Sequence, residues 1–192
     1  NLIPDIMLQG EIGYFRAVAR NIDPIGESAN IRQLHLDSTD IYIEIADTAK
    51  KEKEESTPSD WKINLHHGTI NKSRIRVGIP SDTLTIEAGI GKLGIREAII
   101  DLGEPSYALK SLNMNGCDAK YDQGRDSQRE RPTGHIAVNN INLDCRETLY
   151  TPDSTLLNIK DLAFVQPDGI TITGASFSAM ADRHLLDIKE LS

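Results

Sequence analysis

Apolar side chains recur at every second position over short runs along most of the chain. Ile41-Tyr42-Ile43-Glu44-Ile45 and Arg74-Ile75-Arg76-Val77-Gly78-Ile79 show the pattern most plainly. A period of two places those side chains on one face of a pleated strand, so the pattern predicts an all-β chain. Gly and Pro punctuate the runs at Pro24, Gly26, Pro80, Gly103, Pro105, Gly116, Pro152, Pro167 and Gly169, where turns are expected. A sustained 3.6 period is missing. The stretch from Met180 to Leu191 is open between a short helix, with Leu185, Ile188 and Leu191 spaced by three, and a further strand.

The alternating runs are also similar to one another. Six segments align without gaps on one apolar anchor: Leu34, Ile70, Leu93, Leu112, Ile141 and Leu162. Three positions earlier stand Ile31, His67, Ile90, Leu109, Val138 and Ile159. Two positions later stand Leu36, Lys72, Ile95, Met114, Leu143 and Phe164, and nine later Ile43, Ile79, Leu102, Tyr121, Tyr150 and Thr171. The residues flanking the anchor are polar or small throughout. The anchor and its +2 partner share a face, whereas the +9 position has the opposite parity. A bend or bulge between them restores a common face, so each unit is expected to be two short strands joined at a corner. Anchor spacings of 36, 23, 19, 29 and 21 residues give a unit of about 20 residues. The two longest gaps hold almost wholly polar stretches, 47–60 and 122–134, which read as insertions at one edge. The expected architecture is one repeat domain over 1–192, with core repeats over about 28–173. Its stacked two-strand units form a β-taco-like or solenoid sheet with an apolar concave face. A closed β-helix and a β-sandwich are the alternatives, and a closed β-solenoid would be read as a binding module that recognises protein or glycan through its exposed faces.

The repeat resembles the TamB/AsmA-like superfamily of bacterial envelope translocation and assembly proteins. Ile90-Gly91-Lys92-Leu93-Gly94-Ile95-Arg96-Glu97-Ala98-Ile99-Ile100-Asp101-Leu102 carries the resemblance, as does Tyr107 to Tyr121, and Leu157 to Phe164 repeats the opening. The resemblance implies a hydrophobic groove that handles acyl chains, in phospholipid transport between membranes or in outer-membrane assembly. It also implies a periplasmic location within a larger protein anchored in the inner membrane. The partners it implies are phospholipid and, through the parent chain, outer-membrane assembly proteins. The first residue, Asn1, is then expected for an excised internal segment. The groove-lining candidates are Leu34, Leu36, Leu93, Ile95, Leu112, Met114, Ile141, Leu143, Leu162 and Phe164. A leucine-rich-repeat core is resembled only at Leu109-x-x-Leu112-x-Met114-x-x-Cys117, and the fifth position after the anchor is not a column of Asn or Cys.

Composition narrows the function further. The 192 residues carry 21 Lys and Arg against 29 Asp and Glu, a net charge of -8, which argues against a nucleic-acid groove. Aromatic residues are 5%, as expected when layers of aliphatic side chains fill an interior. No apolar run approaches the ~18 residues of a spanning helix.

Chemistry-bearing motifs are scarce, and the chain is read as non-enzymatic, without metal or cofactor. His66 and His67 adjoin, but neighbours on a strand point to opposite faces, and His35, His135 and His184 stand apart. Asp37-Ser38-Thr39-Asp40 lacks the Gly and closing Glu of a calcium loop and is placed in a turn. Gly89-Ile90-Gly91-Lys92-Leu93-Gly94 fits GxGxxG formally, but no helix follows it. Cys117 and Cys145 fall five and four residues after their anchors. That difference of one places them on opposite faces as small buried hydrophobes, with a bridge between neighbouring rungs as the alternative.

Overall fold

Long runs rich in Ile, Leu, Val and Thr favour extended backbone, because branched side chains pack well on a half-buried pleat. In the computed structural model, which describes residues 6–45, 60–80, 83–125, 132–182 and 186–189, they form nine strands. These are β1 (Ile6–Asp23), β2 (Ser28–Ile45), β3 (Lys62–Ile79), β4 (Leu84–Asp101), β5 (Ser106–Arg125), β6 (Pro132–Tyr150), β7 (Ser154–Val165), β8 (Thr171–Asp182) and β9 (Leu186–Lys189). Among the described residues there is no α-helix. The stretch left open between helix and strand is strand, where it is described, in β8 and β9.

All nine strands lie in one sheet in chain order, β1 to β9. The sheet does not close on itself, so a closed β-helix and a two-sheet sandwich are both corrected to a single open sheet. Seven of the eight pairings are antiparallel, and β2 with β3 is parallel. A parallel pair needs a crossover of a dozen or more residues. The polar stretch between Ile45 and Lys62 has that length, which is why it interrupts the repeat spacing. Of the excursion 47–60, only Asp60 lies within the described residues.

Each unit is one continuous strand rather than two strands joined at a corner. β2, β3 and β4 each span 18 residues, about 60 Å at ~3.3 Å per residue. The second excursion is also shorter than the sequence predicts. Asp122 to Arg125 complete β5 and Pro132 to Gly134 open β6, while 126–131 lie outside the described residues. Polar Asp122 and His135 face each other across that ladder, and cross-strand pairing offsets the weak strand preference of a charged stretch. The sheet also extends beyond the 28–173 core, to β1 on one side and to β8 and β9 on the other.

Tight turns are fixed by side chains. Asp23 accepts backbone hydrogen bonds from Ile25 (3.1 Å) and Gly26 (3.0 Å) between β1 and β2. Asp101 does the same for Gly103 (3.0 Å) and Glu104 (3.1 Å) between β4 and β5. A carboxylate that accepts such bonds stabilises the turn locally.

A single layer buries little. The accessible surface is 13608 Å², against about 9,100 Å² for a compact globule of this mass. Only eight apolar residues among those described are buried: Ala29, Leu65, Ile90, Ala98, Cys117, Ala137, Cys145 and Ile159.

Candidate functional site

Directly paired residues of neighbouring strands share a face, so the ladder traces transverse rows across the sheet. One row reads Phe15, Leu36, Ile70, Leu93, Met114, Leu143, Leu162 and Ala175, from β1 to β8. The next row, two residues along every strand except β7, where the step is three, holds Ala17, Leu34, Gly68, Ile95, Leu112, Cys145, Ile159 and Phe177. Both rows are apolar or small at every position. Between them, on the opposite face, runs Arg16, His35, Thr69, Gly94, Asn113, Asp144 and Asp161.

Eight of the ten predicted groove residues stand in these two adjacent rows: Leu36, Leu93, Met114, Leu143 and Leu162 in the first, Leu34, Ile95 and Leu112 in the second. Ile141 is paired instead with Cys117 and Phe164 with Ile172. Anchor meets anchor between β3 and β4, where Ile70 is paired with Leu93. Between β4 and β5 the anchor of one strand meets the +2 residue of the other, as Leu93 meets Met114 and Ile95 meets Leu112. Sequence reasoning missed Phe15 and Ala17, because β1 lies outside the repeat. It also missed Gly68, Cys145 and Ile159, which a search for large aliphatic columns passes over.

The parity change expected within each unit is made by single residues of left-handed backbone. Ser38, Lys72, Gly116, Asn140 and Gly174 have φ of 53°, 46°, 58°, 51° and 75° and form a line of breaks across β2, β3, β5, β6 and β8. Gly91 joins that line in β4. A Cβ there would lie 2.4 Å from the Gly116 carbonyl oxygen, a close approach that only glycine permits. A second line passes through Glu97 and Glu147, at 49° and 53°. Across that second line Leu65 Cδ2 lies 3.0 Å from where a Gly68 Cβ would stand. Residues three apart therefore meet on one face, as a one-residue break requires.

Beyond the first line stand Thr39, Ser73, Ile90 and Cys117, all buried. The Thr39 amide donates to Ser73 Oγ at 3.3 Å, and the Ser73 hydroxyl donates to the Asn71 carbonyl at 2.7 Å, so these polar groups are satisfied where water is excluded. Beyond the second line lie Ile31, Leu65, Ala98, Leu109 and Thr148, then Ala29, Ile63, Ile100, Tyr107 and Tyr150. The Tyr107 and Tyr150 rings stack with centroids 5.7 Å apart. Ten of the twelve buried residues among those described fall on these rows.

The opposite face carries the charge. Arg76 pairs with Asp40 at 2.7 Å and Arg146 with Asp144 at 3.0 Å. The Arg146 hydrogen bond holds the Asp144 carboxyl below its ordinary value, and the Ser38 hydroxyl does the same for Asp37. Asp37 to Asp40 thus lie inside β2 at a break, not in a turn, because the left-handed Ser38 is accommodated within the ladder. His66 meets Asn30 and Glu97, and His35 meets Thr69. His184 lies outside the described residues. No group of three metal-ligating side chains occurs among the described residues. Two surface depressions, of about 340 and 630 Å³, are lined by side chains of both charges, and of the groove candidates only Met114 and Leu143 touch either.

Cys117 and Cys145 are both buried and unbridged. Cys145 is paired with Leu112, five residues from Cys117 along β5, so about 16 Å of strand separates their positions. That exceeds the Cα separation a disulfide tolerates. The row assignment also corrects the expectation of opposite faces, since the break at Gly116 restores the parity between them.

Comparison with known proteins finds no matching family model, no matching curated protein and no matching solved structure.

Proposed function

We propose that this sheet is a non-enzymatic lipid-handling module, curled toward its apolar rows to form an open groove for acyl chains. The observation that carries the reading is the unbroken row from Phe15 to Ala175, flanked by a second apolar row and opposed by a polar one. Apolar surface left to water costs about 25 cal/mol per Å², and no second layer of this chain covers these rows among the described residues. Acyl tails suit a track of interchangeable aliphatic side chains, because the hydrophobic effect is non-directional. Head groups remain in water at the strand ends. Transfer along such a track is passive and needs no catalytic residue. The lines of left-handed residues support the curl, since bulges bend strands and raise their twist.

The resemblance of the repeat to the TamB/AsmA-like superfamily supports the same reading. We infer a periplasmic segment of a larger envelope protein, acting in phospholipid transport or outer-membrane assembly. Native mass spectrometry of the chain purified without detergent tests the proposal. The expected result is a chain carrying phospholipid or fatty-acid mass. A ligand-free chain with no affinity for a fluorescent fatty acid would overturn it.

A further inference from the structure

The charged face carries one apolar row of its own. Ile99, Ala108, Leu149, Leu156 and Met180 are direct ladder partners from β4 to β8. Along the strands they alternate with Ala98, Ile100, Tyr107 and Tyr150 of the apolar side, so they point the other way. Ile99 is 53% accessible, Met180 48%, Leu149 39% and Leu156 38%. Single exposed apolar residues are ordinary, whereas a contiguous line of them marks a binding surface. These five strands are each paired on both sides, so the row depends on neither margin of the sheet.

The lining of the smaller depression, about 340 Å³, includes Arg96, Lys110, Ser111 and Arg146, with Glu97 and Glu147. Arg96, Ser111 and Arg146 form one ladder row. The breaks at Glu97 and Glu147 bring residues three apart to a common face. Arg96 therefore shares a face with Ile99 and Arg146 with Leu149, and the depression adjoins the apolar row. Glu97 lies 3.3 Å from His66, and Arg146 is held by Asp144 at 3.0 Å. Arg96 and Lys110 are exposed and have no ion pair among the described residues. Two cations beside an apolar row are thus left to take an anion.

We propose that this face binds one anionic, single-chain amphiphile of the fatty-acid class. Its carboxylate is held by Arg96 and Lys110, and its tail lies along Ile99, Leu149, Leu156 and Met180. A guanidinium fork matches a carboxylate, and the charge strengthens each hydrogen bond. The Lys110 stem covers apolar surface while its ammonium reaches the head. The direction of the ligand is set by charge. Asp101 and Ser106 flank the row on its other side, where an anionic head would meet a carboxylate. The row is one side chain wide between two polar rows. That width suits a single tail and is too narrow for a stable protein interface, which takes about 800 Å² from each partner. The site lies on the face opposite the groove, and it stands whether or not the groove binds lipid.

Photo-crosslinking of the full chain, mapped to single residues, tests the site. The probes are a fatty acid and an alkylammonium with the same tail, each with a diazirine near the tail end. The fatty acid is expected to label Leu149, Leu156 and Met180 saturably. The ammonium probe is expected to label them about tenfold less, the factor that one charge-assisted hydrogen bond is worth. The double variant Arg96→Gln, Lys110→Gln is expected to lose about tenfold or more of the fatty-acid labelling on this row. Its labelling at Leu93 and Met114, on the other face, is expected to match wild type. Circular dichroism of the variant confirms the β fold, and the comparison of the two probes on wild type needs no variant. A wild type labelled on this row and not at Leu93 or Met114 would support the site and contradict the groove. An unlabelled row would overturn the proposal, as would equal labelling by both probes or labelling that survives the double variant.

Discussion

Asp101 shows how much one side chain does in a single-layer sheet. Its carboxylate holds the β4–β5 turn through the Gly103 and Glu104 amides and reaches Lys62 Nζ at 3.1 Å. The Glu104 amide first, and Lys62 second, keep its pKa below the ordinary carboxylate value. A depressed folded-state pKa contributes stability that is fully present above the unfolded value, about 3.9, and lost as pH falls through the folded one. Wild type is therefore expected to exceed Asp101→Asn in urea midpoint at pH 7, with the gap closing as pH falls below about 4. A gap unchanged by pH would contradict this role. Asp37 and Asp144 titrate in the same range, but they are common to both proteins and cancel in the comparison.

At the scale of the element, the break decides whether an 18-residue strand keeps one apolar face. Gly94 and Gly116 make a controlled pair. A Cβ on either would meet nothing within 4 Å, but only Gly116 has a left-handed φ, 58°. Gly116→Val is expected to cost about 1–3 kcal/mol from backbone strain alone. Gly94→Thr, on an ordinary stretch of strand, is expected to be neutral or to stabilise by up to about 1 kcal/mol. Denaturant midpoints measure both, and equal losses at the two sites would contradict the assignment of the break. The need for such a break was legible in the sequence, because Leu34 and Leu36 differ in parity from Ile41, Ile43 and Ile45. Its form was not. A short break within one strand and a corner between two strands leave the same parity signature, and only the ladder distinguishes them. Strand direction was hidden for a related reason. A column of anchors looks the same whether neighbours run parallel or antiparallel, since the +2 residue that takes the anchor's place is itself aliphatic.

For the whole molecule, the aliphatic columns were legible because every unit repeats them, and eight of the ten residues they nominate fall in two adjacent rows. Small members such as Gly68 and Cys145 were hidden, since a row needs only a side chain that does not obstruct it. β1 was hidden because a margin strand pairs on one side and escapes the constraint that shapes the interior units. The molecule that results is an open layer with apolar rows on one face, charge on the other and about 1.5 times the surface of a compact chain of its mass. Hydrophobic surface in that arrangement calls for cover, and the central claim is that acyl chains supply it. The most direct test is photo-crosslinking with a fatty acid that carries a diazirine in its tail, followed by peptide mapping. The account predicts saturable labelling at Leu36, Leu93, Met114 and Leu143 and in the adjacent row at Leu34, Ile95 and Leu112. Labelling centred instead on His35, Asn113 and Asp144 of the opposite face, or none that a competing fatty acid removes, would contradict it.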